Sequence, residues 1–75
     1  MTLKLFSIKD KHNGFIPPIP FPNEEVAQRW YKEMRAENIT MKYSPEDFSL
    51  WEIGMWDSDT GIIETNVVEV IRKEL

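Results

Sequence analysis

One histidine, no cysteine and thirteen acids make up most of the reactive inventory of this 75-residue chain. Nucleophilic catalysis needs Ser or Cys beside a base that a third group orients. The single His12 sits in Lys11-His12-Asn13-Gly14, a turn sequence, and reads as a solvated turn residue rather than a base. Paired carboxylates do acid–base work when burial sets their protonation states apart. Glu46-Asp47 stand at a helix start, where the dipole favours the charged form. Asp57 and Asp59 stand in a hairpin loop, where Asp caps its own backbone, and Glu52, mid-strand, is the one acid placed for partial burial. Asp57-x-Asp59 opens like a calcium loop, but Gly61 comes one position early, Thr60 replaces a ligand and Val68 stands where the bidentate Glu belongs. Gly14, Gly54 and Gly61 are too dispersed for a phosphate loop, and thiolate zinc is excluded. The chain therefore reads as a non-enzyme with no metal and no cofactor.

Binding chemistry is better supplied. Lys4, Lys9, Lys11 and Arg29 are candidate nucleic-acid contacts if aromatic rings beside them act as stacking platforms. The plainer reading is a solvated helix face and strand-edge lysines that discourage aggregation. The charge distribution favours the plainer one. The net charge is −4, residues 1–23 sum to +2 and residues 39–66 to −5, so only the N-terminal quarter is basic. Single-stranded or duplex DNA would bind weakly. Three Trp, four Phe and two Tyr are a large aromatic load for this length. A chain this short buries only about 60% of its unfolded surface, and without cysteine or metal its reinforcement is aromatic packing or a second subunit. Leu50, Trp56, Phe15 and Phe21 are the candidate partner or homodimer surface.

These residues must be positioned by regular elements. Residues 2–9 read as a strand, with Leu3, Leu5 and Ser7 on one face and Lys4, Phe6 and Ile8 on the other; apolar groups on both faces indicate an inner strand. Asn13-Gly14 marks a turn. Four prolines between Pro17 and Pro22 then exclude a helix and a central strand, so residues 10–22 form an extended arm. It serves either as a cover for the core, anchored by Phe15, Ile16, Ile19 and Phe21, or as a Pro-rich ligand for an SH3-type groove. Residues 23–37 read as a helix with Asn23 as N-cap and Glu24 and Glu25 in the first turn. Its apolar stripe is Val26, Trp30 and Met34, with Ala27 and Tyr31 one position on. Ile39–Tyr43 read as an extended connector, and Ser44-Pro45-Glu46-Asp47 as one helical turn.

Residues 48–71 read as an aromatic β-hairpin. Trp51, Ile53 and Met55 are expected to face the helix, with Leu50, Glu52, Gly54 and Trp56 on the opposite face. Gly54 signals a bulge or a close approach. Asp57–Gly61 is the loop. Val67, Val68, Val70 and Ile71 also fit one helical face, and their β-branching decides for strand. Residues 72–75 are a polar tail. The expected architecture is α+β, β-α-β-β, a single domain over residues 1–75. One helix packs on a small, mostly antiparallel sheet with a Pro-rich extended arm. The first strand pairs with residues 48–56, and an uncovered sheet face carrying Leu5 or Phe6, Leu50 and Trp56 invites a partner. No run approaches the ~18 apolar residues of a membrane span, and the start is too charged for a signal peptide, so a cytoplasmic location without membrane contact is expected.

Several segments together resemble a known family. Leu5-Phe6-Ser7-Ile8-Lys9-Asp10, then Gly14-Phe15 and a Pro-containing stretch ending at Asn23, is similar to the opening of the small nonstructural protein of gokushovirus-type microviruses, phages with single-stranded circular DNA. Ala27 and Arg29 fit as well. So do Ser44-Pro45-Glu46-Asp47-Phe48-x-Leu50-Trp51 and Ile53-Gly54-x-Trp56-Asp57-x-x-Thr60-Gly61. The likeness covers residues 3–63, and residues 64–75 follow no assignable pattern. It implies a non-virion protein made in the host cytoplasm during infection and tied to phage DNA replication. DNA binding, or the switch from duplex amplification to single-strand synthesis and packaging, is the implied role. A host or phage replication protein is the implied partner. The family supplies no catalytic residues. The alternative from the residues alone is a dimeric protein-interaction module that binds a host factor.

Overall fold

A computed structural model describes residues 1–70. The elements are β1 (Thr2–Asp10), β2 (Gly14–Phe15), β3 (Ile19–Phe21), α1 (Glu24–Glu37), α2 (Ile39–Tyr43), β4 (Phe48–Asp57) and β5 (Ile63–Glu69), with one 3-10 turn at Pro45–Asp47. The class is α+β, as the sequence indicates. The antiparallel sheet runs β2-β1-β4-β5, and β3 also pairs with β1. The expected pairing of the first strand with the aromatic strand holds along the whole of β1, from Thr2↔Asp57 to Asp10↔Phe48. The strand end expected at Ile71 and the tail of residues 72–75 lie outside the described residues.

The arm does more than cover the core. Gly14, with φ +87°, turns the chain, and Phe15 and Ile19–Phe21 then pair back onto β1 as two short edge pieces. Prolines are compatible with that position because an edge strand needs only one set of backbone bonds. Between the pieces, the Ile16 amide donates to the Ile8 carbonyl at 3.0 Å, and Ser7 Oγ donates to the Ile16 carbonyl at 2.7 Å. Ser7 is fully buried, so this bond supplies the partner its hydroxyl needs.

α1 forms where the apolar stripe places it. Asn23 Oδ1 accepts from the Val26 amide at 3.0 Å, which caps the first turn. Ala27 and Tyr31 are buried, while Trp30 and Met34 lie at the core margin. The core joins these to Phe6 and Ile8 of β1, Leu50 of β4 and Met41 of α2. Met41 belongs to the first correction. Ile39–Tyr43 is helical, not extended, because Asn38 acts at both helix ends. Its amide donates to the Met34 carbonyl at 2.8 Å, closing α1, and its Oδ1 accepts from the Thr40 and Met41 amides, opening α2. It does so with extended backbone at φ −77°, not in the left-handed region.

The second correction concerns the faces of β4. Leu50 pairs with Ile8 and lies in the core at 2% exposure, whereas Trp51 pairs with Ser7 on the face away from α1. The expected alternation fails at Ile53. Leu5↔Gly54 is followed by Phe6↔Glu52, so Ile53 is an extra residue against β1. Directly opposed residues share a face, so the insertion exchanges the two faces of β4 on either side of it. Beyond the bulge, Trp56 faces away from the helix with Leu3, as expected. Gly54 marks the place. A Cβ there would collide with the Glu64 carbonyl and lie 3.1 Å from Thr65 Cα, both backbone atoms that cannot swing aside.

Two substitutions test this account. Gly54→Ala should destabilise by about 1–3 kcal/mol through backbone collision, whereas Leu50→Ala should cost about 2–5 kcal/mol as a core cavity. Urea titration followed by far-UV circular dichroism reads both. A neutral Gly54→Ala would contradict the close approach of β5.

Candidate functional site

The sheet face opposite α1 holds the one cluster of candidate binding residues among the described residues. Lys9 of β1 pairs with Phe15 of β2 on one side and Ser49 of β4 on the other, so their side chains emerge together. Trp51 is next on that face. Its ring meets Phe15 edge-on, with centroids 5.5 Å apart and planes at 85°. The Lys9 ammonium lies 5.3 Å from the Trp51 ring centre and 5.5 Å from that of Phe15, a double cation–π contact. Trp51 Nε1 donates to Ser49 Oγ at 2.8 Å, which fixes the indole plane. Phe15 is 45% exposed.

A shallow depression of about 320 Å³ adjoins this cluster, with Lys9, Lys11 and Trp51 meeting the acids Glu46, Asp47 and Glu69. Its floor is tied together by backbone. The Lys11 amide donates to the Asp47 carbonyl at 2.8 Å, and His12 Nε2 approaches Asp47 Oδ2 at 3.5 Å, so the first hairpin is held against the 3-10 turn. At the rim, Asp10 accepts from the His12 amide at 2.9 Å and from Asn13 Nδ2 at 2.8 Å. The His12 amide, chiefly, and then the Asn13 side chain hold the Asp10 carboxyl below its usual range.

Of the expected contacts, Lys9, Lys11 and Phe15 come together here. Lys4 does not: it pairs with Phe21 and Met55 on the helix side of the sheet. Arg29 is exposed on α1, apart from the cluster. The expected partner surface divides. Leu50 is a core residue, and Phe21 packs between Phe6 and Trp30, with ring centres 6.0 and 5.2 Å away, so neither offers a docking surface. Trp56 is half-buried on the outer face. Leu5 shares that face and is buried without a helix over it, paired to Pro20 and Gly54. Sequence reasoning missed Trp51 and Glu69. The available signal was Gly54: the bulge it announces exchanges the faces and brings Trp51 beside Lys9.

The arrangement can stack a flat ring and hold a charge, and it contains no nucleophile–base pair. Among the described residues no cluster of His, Asp or Glu could hold a metal ion, and no helix is long and apolar enough to cross a membrane.

Fold and site thus define a small α+β domain with an aromatic–lysine cluster on the sheet face opposite its main helix. The chain belongs to the phage ORF5 protein family, whose model matches residues 3–73. The match continues past residue 63, where the resemblance read from the sequence ended. Comparison with curated proteins and with solved structures finds no match.

The rim makes a pH prediction. A carboxyl held low stabilises the fold above its unfolded value, and that contribution is lost as pH falls through the folded value. Asp10→Asn should therefore lower stability at neutral pH and flatten its decline below about pH 4, as read by thermal unfolding across an acid series.

Proposed function

We propose that this phage protein is a non-virion regulator of viral DNA replication or packaging, of the gokushovirus-type microvirus kind. It acts in the host cytoplasm through contacts with a phage or host replication protein and touches DNA only weakly. It is a binding protein, not an enzyme. The observation that carries the reading is the Lys9–Phe15–Trp51 cluster on the open sheet face, within a family of phage proteins. Single strands suit it better than duplex, because unpaired bases expose the ring faces that stack on aromatics, at about 1–3 kcal/mol per base. Lys9 and Lys11 supply the phosphate attraction, and Glu46, Asp47 and Glu69 offset it. Two lysine contacts imply a shallow salt dependence, with a log–log slope of about −1.4 on single strands.

A second reading, a dimeric module that binds a host factor, is favoured by the apolar residues exposed on β5 and just before it: Ile62, Ile63, Val67 and Val68.

Fluorescence anisotropy of labelled single-stranded and duplex oligonucleotides at about 50 and 150 mM salt tests the first reading. Weak binding with single strands preferred is expected. Trp51→Ala should lower affinity about tenfold or more, and Lys4→Ala should leave it unchanged. No binding to either form at the lower salt would remove DNA from the proposal.

A further inference from the structure

β5 is an edge strand with no buried residue. All seven of its residues are exposed, although it pairs along β4. The opposite sheet edge, made by β2 and β3, is interrupted by Pro17, Pro18 and Pro20, which lack the donor that strand pairing needs. β5 carries no proline and no lysine. The two edges are therefore unlike: one is protected against pairing and the other is bare.

The direction of the bare edge follows from the ladder. The Ile62 carbonyl accepts from the Asp57 amide, and the Val70 amide donates to the Leu50 carbonyl, so the even-numbered residues at both ends of the strand face β4. In an antiparallel strand a residue's N–H and C=O point the same way, and neighbours point oppositely. Ile63, Thr65, Val67 and Glu69 thus aim their amides and carbonyls at the open edge.

We infer that this edge pairs with β5 of a second copy, antiparallel, about a two-fold axis through Thr65. The axis stands perpendicular to the sheet, so each residue meets one of its own face and pairs are separated by an even number. The Thr65 register then opposes Ile63 with Val67 and Ile62 with Val68, each pair occurring twice. Those four are the apolar residues that β5 and its approach expose, at 60% for Ile62, 59% for Ile63, 49% for Val67 and 48% for Val68. Glu64 opposes Asn66, and Glu69 opposes Gly61, so no two acids meet. A centre at Asn66 or Val67 also avoids acid pairs but opposes Ile63 or Thr65 with Glu69. β-branched residues directly across antiparallel strands are the favourable pairs. Because the axis closes on itself and the Pro-interrupted edges remain outside, the assembly stops at two copies. A strand-pair contact is smaller than the ~1,200–2,000 Å² of standard interfaces, so the dimer dissociates on dilution.

This deepens the second reading above and does not depend on the first. The experiment uses the protein alone, so its failure leaves the DNA reading standing. Sedimentation across a concentration series should show a monomer–dimer equilibrium with no larger species. Thr65→Lys places like charges across the axis and should raise the dissociation constant about tenfold or more, with the helical circular dichroism unchanged. The chain has no cysteine, so a single introduced thiol reports register cleanly. Thr65→Cys should oxidise to a covalent dimer, since directly opposed residues have Cα atoms at about 5.5 Å, within disulfide reach. Asn66→Cys, opposite Glu64, should cross-link much more slowly. A protein that stays monomeric at every concentration, a dimer indifferent to Thr65→Lys, or faster cross-linking at Asn66 would each overturn the inference.

Discussion

The long antiparallel pairing of β1 with β4, with its one extra residue at Ile53, is what the remaining structure depends on. It opposes Ile8 with Leu50 on the side where α1 packs, and Lys9 with Ser49 on the side that stays open. Because side chains alternate with period two, a single inserted residue decides which set is core. With Ile53 as a bulge, Leu50 goes inward and Trp51 joins Lys9 and Phe15. In a strand of unbroken alternation Trp51 and Trp56, five residues apart, would lie on opposite faces; with the bulge both lie on the face away from α1. The bulge also turns the sheet, since β5 in turn takes one more residue than β4 over the same stretch, Thr65 to Val68 against Gly54 to Glu52. Each strand outward from β1 is thus longer than its neighbour, and the sheet curls.

The two edges of that sheet are treated oppositely. On the β1 side the prolines, the buried Ser7 hydroxyl and the Ile16 amide close the edge with local bonds. On the β4 side β5 is held by its ladder alone and brings no side chain into the core. A chain of this size has little apolar surface to spare, and seven ordered residues of which none is buried are costly unless another surface covers them. The physical case for a second subunit therefore shifts from the aromatic face, where the expectation placed it, to the aliphatic edge.

The Lys9–Phe15–Trp51 cluster is modest in charge. Lys9 is held between two rings, and the acids beside it cancel much of the field that would draw a polyanion.

Much of this was legible in the residues. The Asn23 cap, the turn at Gly14 and the exclusion of the Pro segment from helix and central strand follow from rules that act over a few residues, and the α+β class and the pairing of the first strand with the aromatic strand from the order of the elements. So did Lys9, Lys11 and Phe15 as candidates. α2 was not legible, because Asn38 caps two helices at once and Ile39–Tyr43 has no strong helical pattern of its own. The face of Leu50 and Trp51 was not legible either. Gly54 announced an irregularity, but whether a bulge falls before or after Trp51 depends on which β1 residue lies opposite. The sequence by itself determined the elements and their chemistry, because capping, turn and proline constraints are local. The tertiary structure alone decided which aromatic is core and which is surface, because register is set by pairing between strands about forty to fifty residues apart in the chain.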